Sequence, residues 1–183
     1  MSAPQEIDIA SNRNARKWTR KEQAGRVLWA LARPVFRLIP RPLWGLRRAM
    51  LRAFGAQVGR DVHVYPTARI TIPWNLTLGE GSAVGDHAIL YALGPITLGP
   101  RATISQYAHL CAGSHNWKDA AMPLTKPPIV IGADVWVCAE AFVGPGVTVG
   151  ARAILGARSV VMRDVSEGAI MMGNPARQRA TRK

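Results

Sequence analysis

Cysteine is scarce in this chain of 183 residues: only Cys111 and Cys138 are present. Two thiols so placed make neither a disulfide framework nor the paired spacing of a zinc module. No secretory signal is visible, so a reducing cytoplasm is the simplest setting. Long apolar runs are also missing. A bilayer span needs about 20 such residues; Val27–Ala32 is far shorter, and Arg33, Pro34 and Arg37 interrupt the stretch after it. There is no G-x-S-x-G nucleophile elbow. Acid is nearly absent between residues 13 and 60, where thirteen Lys/Arg face the single acid Glu22, a local charge of +12. Such charge admits nucleic acid as a partner, but no recognition motif, aromatic platform or zinc spacing supports one.

What the chain does have is a repeat. An aliphatic residue returns every six positions: Val58, Val64, Ile70; Leu78, Val84, Leu90; Leu98, Ile104, Leu110; Ile131, Val137, Val143; Val149, Leu155, Val161. Fifteen hexads do not fit an α-helix, whose apolar face recurs at i, i+3, i+4 and i+7. They fit short strands joined by bends, three hexads to a triangular coil, the aliphatic residue pointing inward. The fold class expected is all-β: a parallel β-helix of about five coils, roughly 24 Å long at the usual interstrand spacing. Gly commonly follows the aliphatic residue (Gly79, Gly99, Gly132, Gly150), as expected where tight corners exclude a Cβ. Cys111 and Cys138 occupy the same place in their hexads and read as small coil residues.

The breaks in the repeat locate a site. Two extra residues precede Leu78, two precede Leu98, and fifteen (Asn116–Val130) precede Ile131. Every insertion comes after a complete set of three hexads, so all leave the prism along one edge. His115 stands on that edge, where the long loop departs. Loops on a rigid scaffold are common places for function.

The expected organisation is a basic helical segment at 1–57, the β-helix at 58–175 with its loop at 116–130, and a basic tail at 176–183. Residues 1–14 look disordered. Leu43–Phe54 reads as a helix whose broad apolar face holds Leu43, Leu46, Met50, Leu51 and Phe54, with Arg48 and Arg52 opposite. This segment either caps the open end of the β-helix or lies through residues 17–54 on an anionic membrane surface; the two are compatible.

Four histidines are present: His63, His87, His109 and His115. A tetrahedral metal site needs its ligands about 2 Å from one ion. His109 and His115 fall on consecutive edges and point apart, and His87 sits elsewhere in its hexad, so no metal is expected within one chain. His115, in Ser114-His115-Asn116-Trp117, is the candidate general base, since an imidazole can take a hydroxyl proton near neutral pH. Without a nucleophile elbow or a reactive thiol, direct attack by a substrate hydroxyl is favoured over a covalent intermediate.

Taken together, the hexads, CAGSHNW (111–117), IGADVWVCAEAFVGPGVTVGARAILGARSVV (131–161), GNPAR (173–177) and LRAFGAQVG (51–59) resemble the hexapeptide-repeat acyltransferases. The nearest branch is the colanic-acid biosynthesis O-acetyltransferases, with galactoside, maltose and nodulation acetyltransferases as relatives. The resemblance implies a left-handed β-helix, a homotrimer with sites between neighbouring prisms, and acetyl-CoA as co-substrate. It places the catalytic base at His115. It places donor contacts at Ala139 and Ala157, with Met162 nearby, and a phosphate contact at Arg177, where many relatives have Lys. Arg179, Arg182 and Lys183 either assist or form a solvated tail. Trp136 falls on a family aromatic position, as a corner-packing residue or a stacking platform. The branch often has an acid after the His; here it is Asn116, so Asp119, Glu140 or Asp86 would orient the ring instead. Asn116, Asp86 and Tyr91 are the candidate acceptor contacts. The expected activity is O-acetylation of a sugar or lipid-linked glycan in exopolysaccharide assembly, in the cytoplasm or peripherally on the inner membrane face. The rivals are N-acetylation of an amino sugar, a zinc hydratase-like enzyme and a non-catalytic scaffold.

Overall fold

The structure is a computed structural model, and it describes residues 6–182. Residues 1–5 of the segment read as disordered, and Lys183 of the tail, lie outside the described residues.

The fifteen aliphatic positions form three stacks, one behind each face of a prism. On the first face Val58, Leu78, Leu98, Ile131 and Val149 pair in parallel register. On the second Val64, Val84, Ile104, Val137 and Leu155 do so. On the third it is Ile70, Leu90, Leu110, Val143 and Val161. All except half-buried Val58 are at most 2% exposed. A sixth, incomplete coil extends the expected five: Val165 bridges to Val149, and the strand Ala169–Met172 adds to the second face. The basic tail is not free either. Arg177–Thr181 forms a strand antiparallel to Ala169–Met172.

The glycines after the inward residues are required by the stacking of coils rather than by a turn. A Cβ on Gly79 would lie 2.6 Å from the backbone of Gly99, and one on Gly99 would lie 2.6 Å from Gly132 and Ala133. Many left-handed corner positions carry side chains, among them His87, Tyr107, Glu140 and Arg158 at successive levels of the second corner, while Gly81, Gly146 and Gly168 take others. The insertions leave at the third corner, where the third face turns back to the first. The first of them contains the 3₁₀ turn Pro73–Asn75.

Three helices, α1 (Ile9–Asn14), α2 (Arg20–Leu38) and α3 (Trp44–Ala53), precede the solenoid. α1 replaces part of the expected disorder, and α2 runs through Pro34 rather than breaking there. Glu22, the lone acid, completes a capping box: Thr19 Oγ1 accepts from Glu22 N, and Glu22 Oε2 accepts from Thr19 N at 2.7 Å. The bonds that Thr19 N and Thr19 Oγ1 donate to Glu22 Oε2 hold its carboxyl below the usual range.

The helices close the lower rim. Strand N–H groups of each coil donate to carbonyls of the next coil, so first-coil carbonyls lack a donor from below, and a buried orphan carbonyl is costly. Trp29 Nε1 donates to Ile70 O at 2.8 Å, Arg48 to Val62 O, and Arg52 to Val58 O and Gly59 O. Arg48 and Arg52 therefore cap the rim instead of lining a solvent face. On α3 the buried pair is Arg47 and Leu51, while Leu43 and Leu46 stay exposed. The Arg47 guanidinium donates to the carbonyls of Ile39, Pro40 and Arg41 just beyond α2, a favourable place for a cation. Burial lowers its pKa.

Candidate active site

The long third-corner insertion folds back on itself. Ser114–His115 and Leu124–Thr125 pair antiparallel, with His115 opposite Leu124. The turn between them is held by Asn116 N to Pro123 O (3.0 Å) and Met122 N to Asp119 O (2.9 Å). Met122 sits in the left-handed region at φ 41°. This geometry brings the Met122 carbonyl to 2.6 Å from His115 Nδ1. A carbonyl can only accept, so Nδ1 carries the proton in the neutral ring and Nε2 is left with its lone pair. His115 is exposed at the edge, with the unprotonated nitrogen available to a hydroxyl.

The ring is oriented by backbone and not by any of the three carboxylates considered. Asp119 accepts from Ala121 N. Glu140 pairs with Arg158 at 2.8 Å, which holds its carboxyl below the usual range. Asp86 accepts from Arg41 (2.6 Å) and Thr67 (2.7 Å). Sequence carried no signal for Met122, because the contributing atom is a carbonyl common to all residues.

The remaining candidates occupy other parts of the prism. Asp86, Ala139 and Ala157 lie at the second corner, where the second face turns into the third. Asp86 borders an open cavity of about 660 Å³ with Arg41, Tyr65, His87 and Tyr107. Tyr91 is on the third face, edge-on to His109. Met162 comes after the last third-face strand and is 56% exposed. Arg177 is exposed on the final strand, its guanidinium donating to the carbonyl of Ala176. Asn116 spends its Oδ1 on Lys118 N within the turn. Trp136 is 51% exposed on the second face, its indole donating to Ser105 Oγ at 2.8 Å. It is a projecting ring and not a core residue. One chain thus does not gather His115 with Ala139, Ala157 and Trp136.

The other histidines have structural surroundings. His87 stacks on Tyr107, His63 packs on Trp44, and His109 stands edge-on between Tyr91 and Phe142, where burial lowers its pKa. Among the described residues no group of three or more His, Cys, Asp or Glu side chains could hold a metal ion. Burial pushes both thiols up, which leaves them poor nucleophiles near neutral pH.

Residues 128–163 match the family described as "Bacterial transferase hexapeptide (six repeats)". The chain is 42% identical over 148 residues, 81% of each protein, to "Putative colanic acid biosynthesis acetyltransferase WcaF" of Escherichia coli (strain K12). Its fold is that of a hexapeptide-repeat acetyltransferase of Vibrio cholerae, solved with acetyl coenzyme A, at TM-score 0.84 and 24% identity over 92% of both chains. A maltose O-acetyltransferase of Clostridium difficile 630 superposes at TM-score 0.81 and 22% identity over 90% of both chains.

Proposed function

Because the chain belongs to the hexapeptide-repeat bacterial transferases, together with the Escherichia coli colanic acid acetyltransferase homologue, we propose that it moves an acetyl group from acetyl-CoA to a saccharide hydroxyl in exopolysaccharide assembly. The observation that carries this reading is the His115 ring, fixed by the Met122 carbonyl with Nε2 free at the exposed edge. In this mechanism Nε2 takes the hydroxyl proton as the oxygen attacks the thioester carbonyl. Backbone N–H groups or Ser114 stabilise the oxyanion. The thiolate then leaves, and the imidazolium returns the proton to it.

The donor side fits the surface at the second corner and beyond. Trp136 offers an open aromatic face, Ala139 and Ala157 a flat backbone edge, Met162 an exposed apolar contact, and Arg177 a guanidinium for a CoA phosphate. Asn116, Asp86 and Tyr91 are the acceptor contacts in this reading. Since His115 and these donor residues occupy different corners, the proposal includes a homotrimer in which one prism's third corner faces the neighbour's second. Titrating acetyl-CoA into the protein by calorimetry should show one site per protomer, with a dissociation constant between about 1 μM and 1 mM. Absence of binding would leave a non-catalytic scaffold and remove the enzyme reading.

A separate observation favours an anionic lipid surface as a second partner. The side of α2 turned away from the solenoid carries Val27, Leu28, Leu31, Val35 and Leu38, each more than half exposed. This stripe lies opposite buried Trp29 and Phe36. No helix among the described residues is long and apolar enough to cross a membrane, so in this reading α2 lies along the surface and holds the enzyme near lipid-linked acceptors.

A further inference from the structure

We infer that Asn12, in the N-terminal arm, is a positioning residue for the general base; the inference rests on the reading of His115 given above. The Met122 carbonyl that holds His115 Nδ1 has a second donor. Asn12 Nδ2 lies 2.6 Å from Met122 O and 2.7 Å from Ala121 O. Asp8 N donates to Ala120 O at 2.9 Å. Three successive carbonyls, 120 to 122, are thus held by one short stretch of the arm, 109 or more residues away in sequence for the Asn12 contacts.

The Asn12 amide has one sensible orientation. Both carbonyls need donors, which directs its NH₂ to the loop. Its Oδ1 then faces Lys17 Nζ at 3.1 Å. Lower on the hairpin Lys126 Nζ donates to Lys17 O and lies over the Trp18 ring, so arm and loop are tied at both ends. α1 has six residues, none of them buried, too few to persist alone. Its conformation depends on the loop, and the arm adds its bonds to those that hold the loop's own turn.

The consequence for chemistry runs through Met122. A non-glycine residue at positive φ is strained by about 1–3 kcal/mol and persists where its surroundings over-determine it. Asn12 supplies that constraint at the residue whose carbonyl sets the imidazole tautomer. Without it the turn relaxes, the carbonyl leaves Nδ1, and the ring gains access to the tautomer with the proton on Nε2, which cannot accept from a hydroxyl. Asn12 touches no reacting atom and acts only through Met122 and His115.

The test uses full-length Asn12→Ala and the isosteric Asn12→Asp, which keeps the volume and removes both donors. Asn14→Ala, exposed on the same helix, is the control. Two readouts are taken: steady-state kinetics, and the ¹⁵N shifts of the His115 ring. In both variants kcat should fall about 10- to 100-fold with the KM for acetyl-CoA nearly unchanged, and the Nε2–H tautomer should gain population. Asn14→Ala should match wild type. A normal kcat in both variants, or lost activity with an unshifted tautomer, overturns the inference. If the wild-type chain transfers no acetyl group, the proposed function fails, while the ring shifts still decide whether Asn12 positions His115.

Discussion

In the His115→Ala enzyme kcat should drop by about 10²–10⁴-fold, the usual worth of a general base. The KM for acetyl-CoA should change little, because in the proposed arrangement the donor is held by residues other than His115. Stability should be almost untouched, within about 0.5 kcal/mol, since the side chain is exposed and its one hydrogen bond is at the surface. His115→Asn sharpens the reading. An amide could still donate to the Met122 carbonyl, yet its oxygen is too weak a base to accept the hydroxyl proton. If His115→Asn is as slow as His115→Ala, basicity matters and not occupancy of the position. Activity close to wild type in either variant would take His115 out of the reaction.

Binding to vesicles should distinguish charge strongly. Arg20, Lys21, Arg33 and Arg37 all stand exposed on α2, and a basic residue near an anionic surface contributes about 1 kcal/mol. Affinity for phosphatidylglycerol-containing vesicles should therefore exceed that for pure phosphatidylcholine by more than about a hundredfold. The apolar stripe adds a part independent of charge. Leu31 and Leu38 are 71% and 81% exposed, and burying a leucine contributes about 1.5–3 kcal/mol. The double variant Leu31→Glu, Leu38→Glu should lose vesicle binding while retaining the solenoid, because neither side chain enters the core. If the double variant instead changed the oligomeric state and left vesicle binding alone, the stripe would be an interface between copies of this chain.

The solenoid was legible because each of its fifteen aliphatic residues reports the same environment. Stacking identical coils repeats one constraint, and the register of Val64 on Val84 or Leu90 on Leu110 comes from counting by six. The edge bearing His115 was legible for the same reason: insertions that fall only after complete coils must leave together. What escaped was chemistry carried by the main chain or by single long-range bonds. Arg48 and Arg52 look like solvent-facing charges until first-coil carbonyls are seen to lack donors. Leu43 and Leu46 fit an apolar face by spacing, yet α3 is turned so that Arg47 and Leu51 face inward. A sequence offers only side chains, and so only carboxylates, as partners for His115, whereas the Met122 carbonyl reaches the ring through a left-handed turn. Asn12 gave no signal at all, since nothing local ties residue 12 to residue 122.

The most direct test tracks acetyl-labelled acetyl-CoA in the presence of the protein and a panel of saccharides and nucleotide sugars. Direct transfer by a base at His115 predicts label on a sugar hydroxyl, as an ester released by mild alkali, with free thiol appearing in equal amount and none of the label on the protein. Label retained on Cys111, Cys138 or Ser114, or thiol release that never requires a sugar, would contradict it.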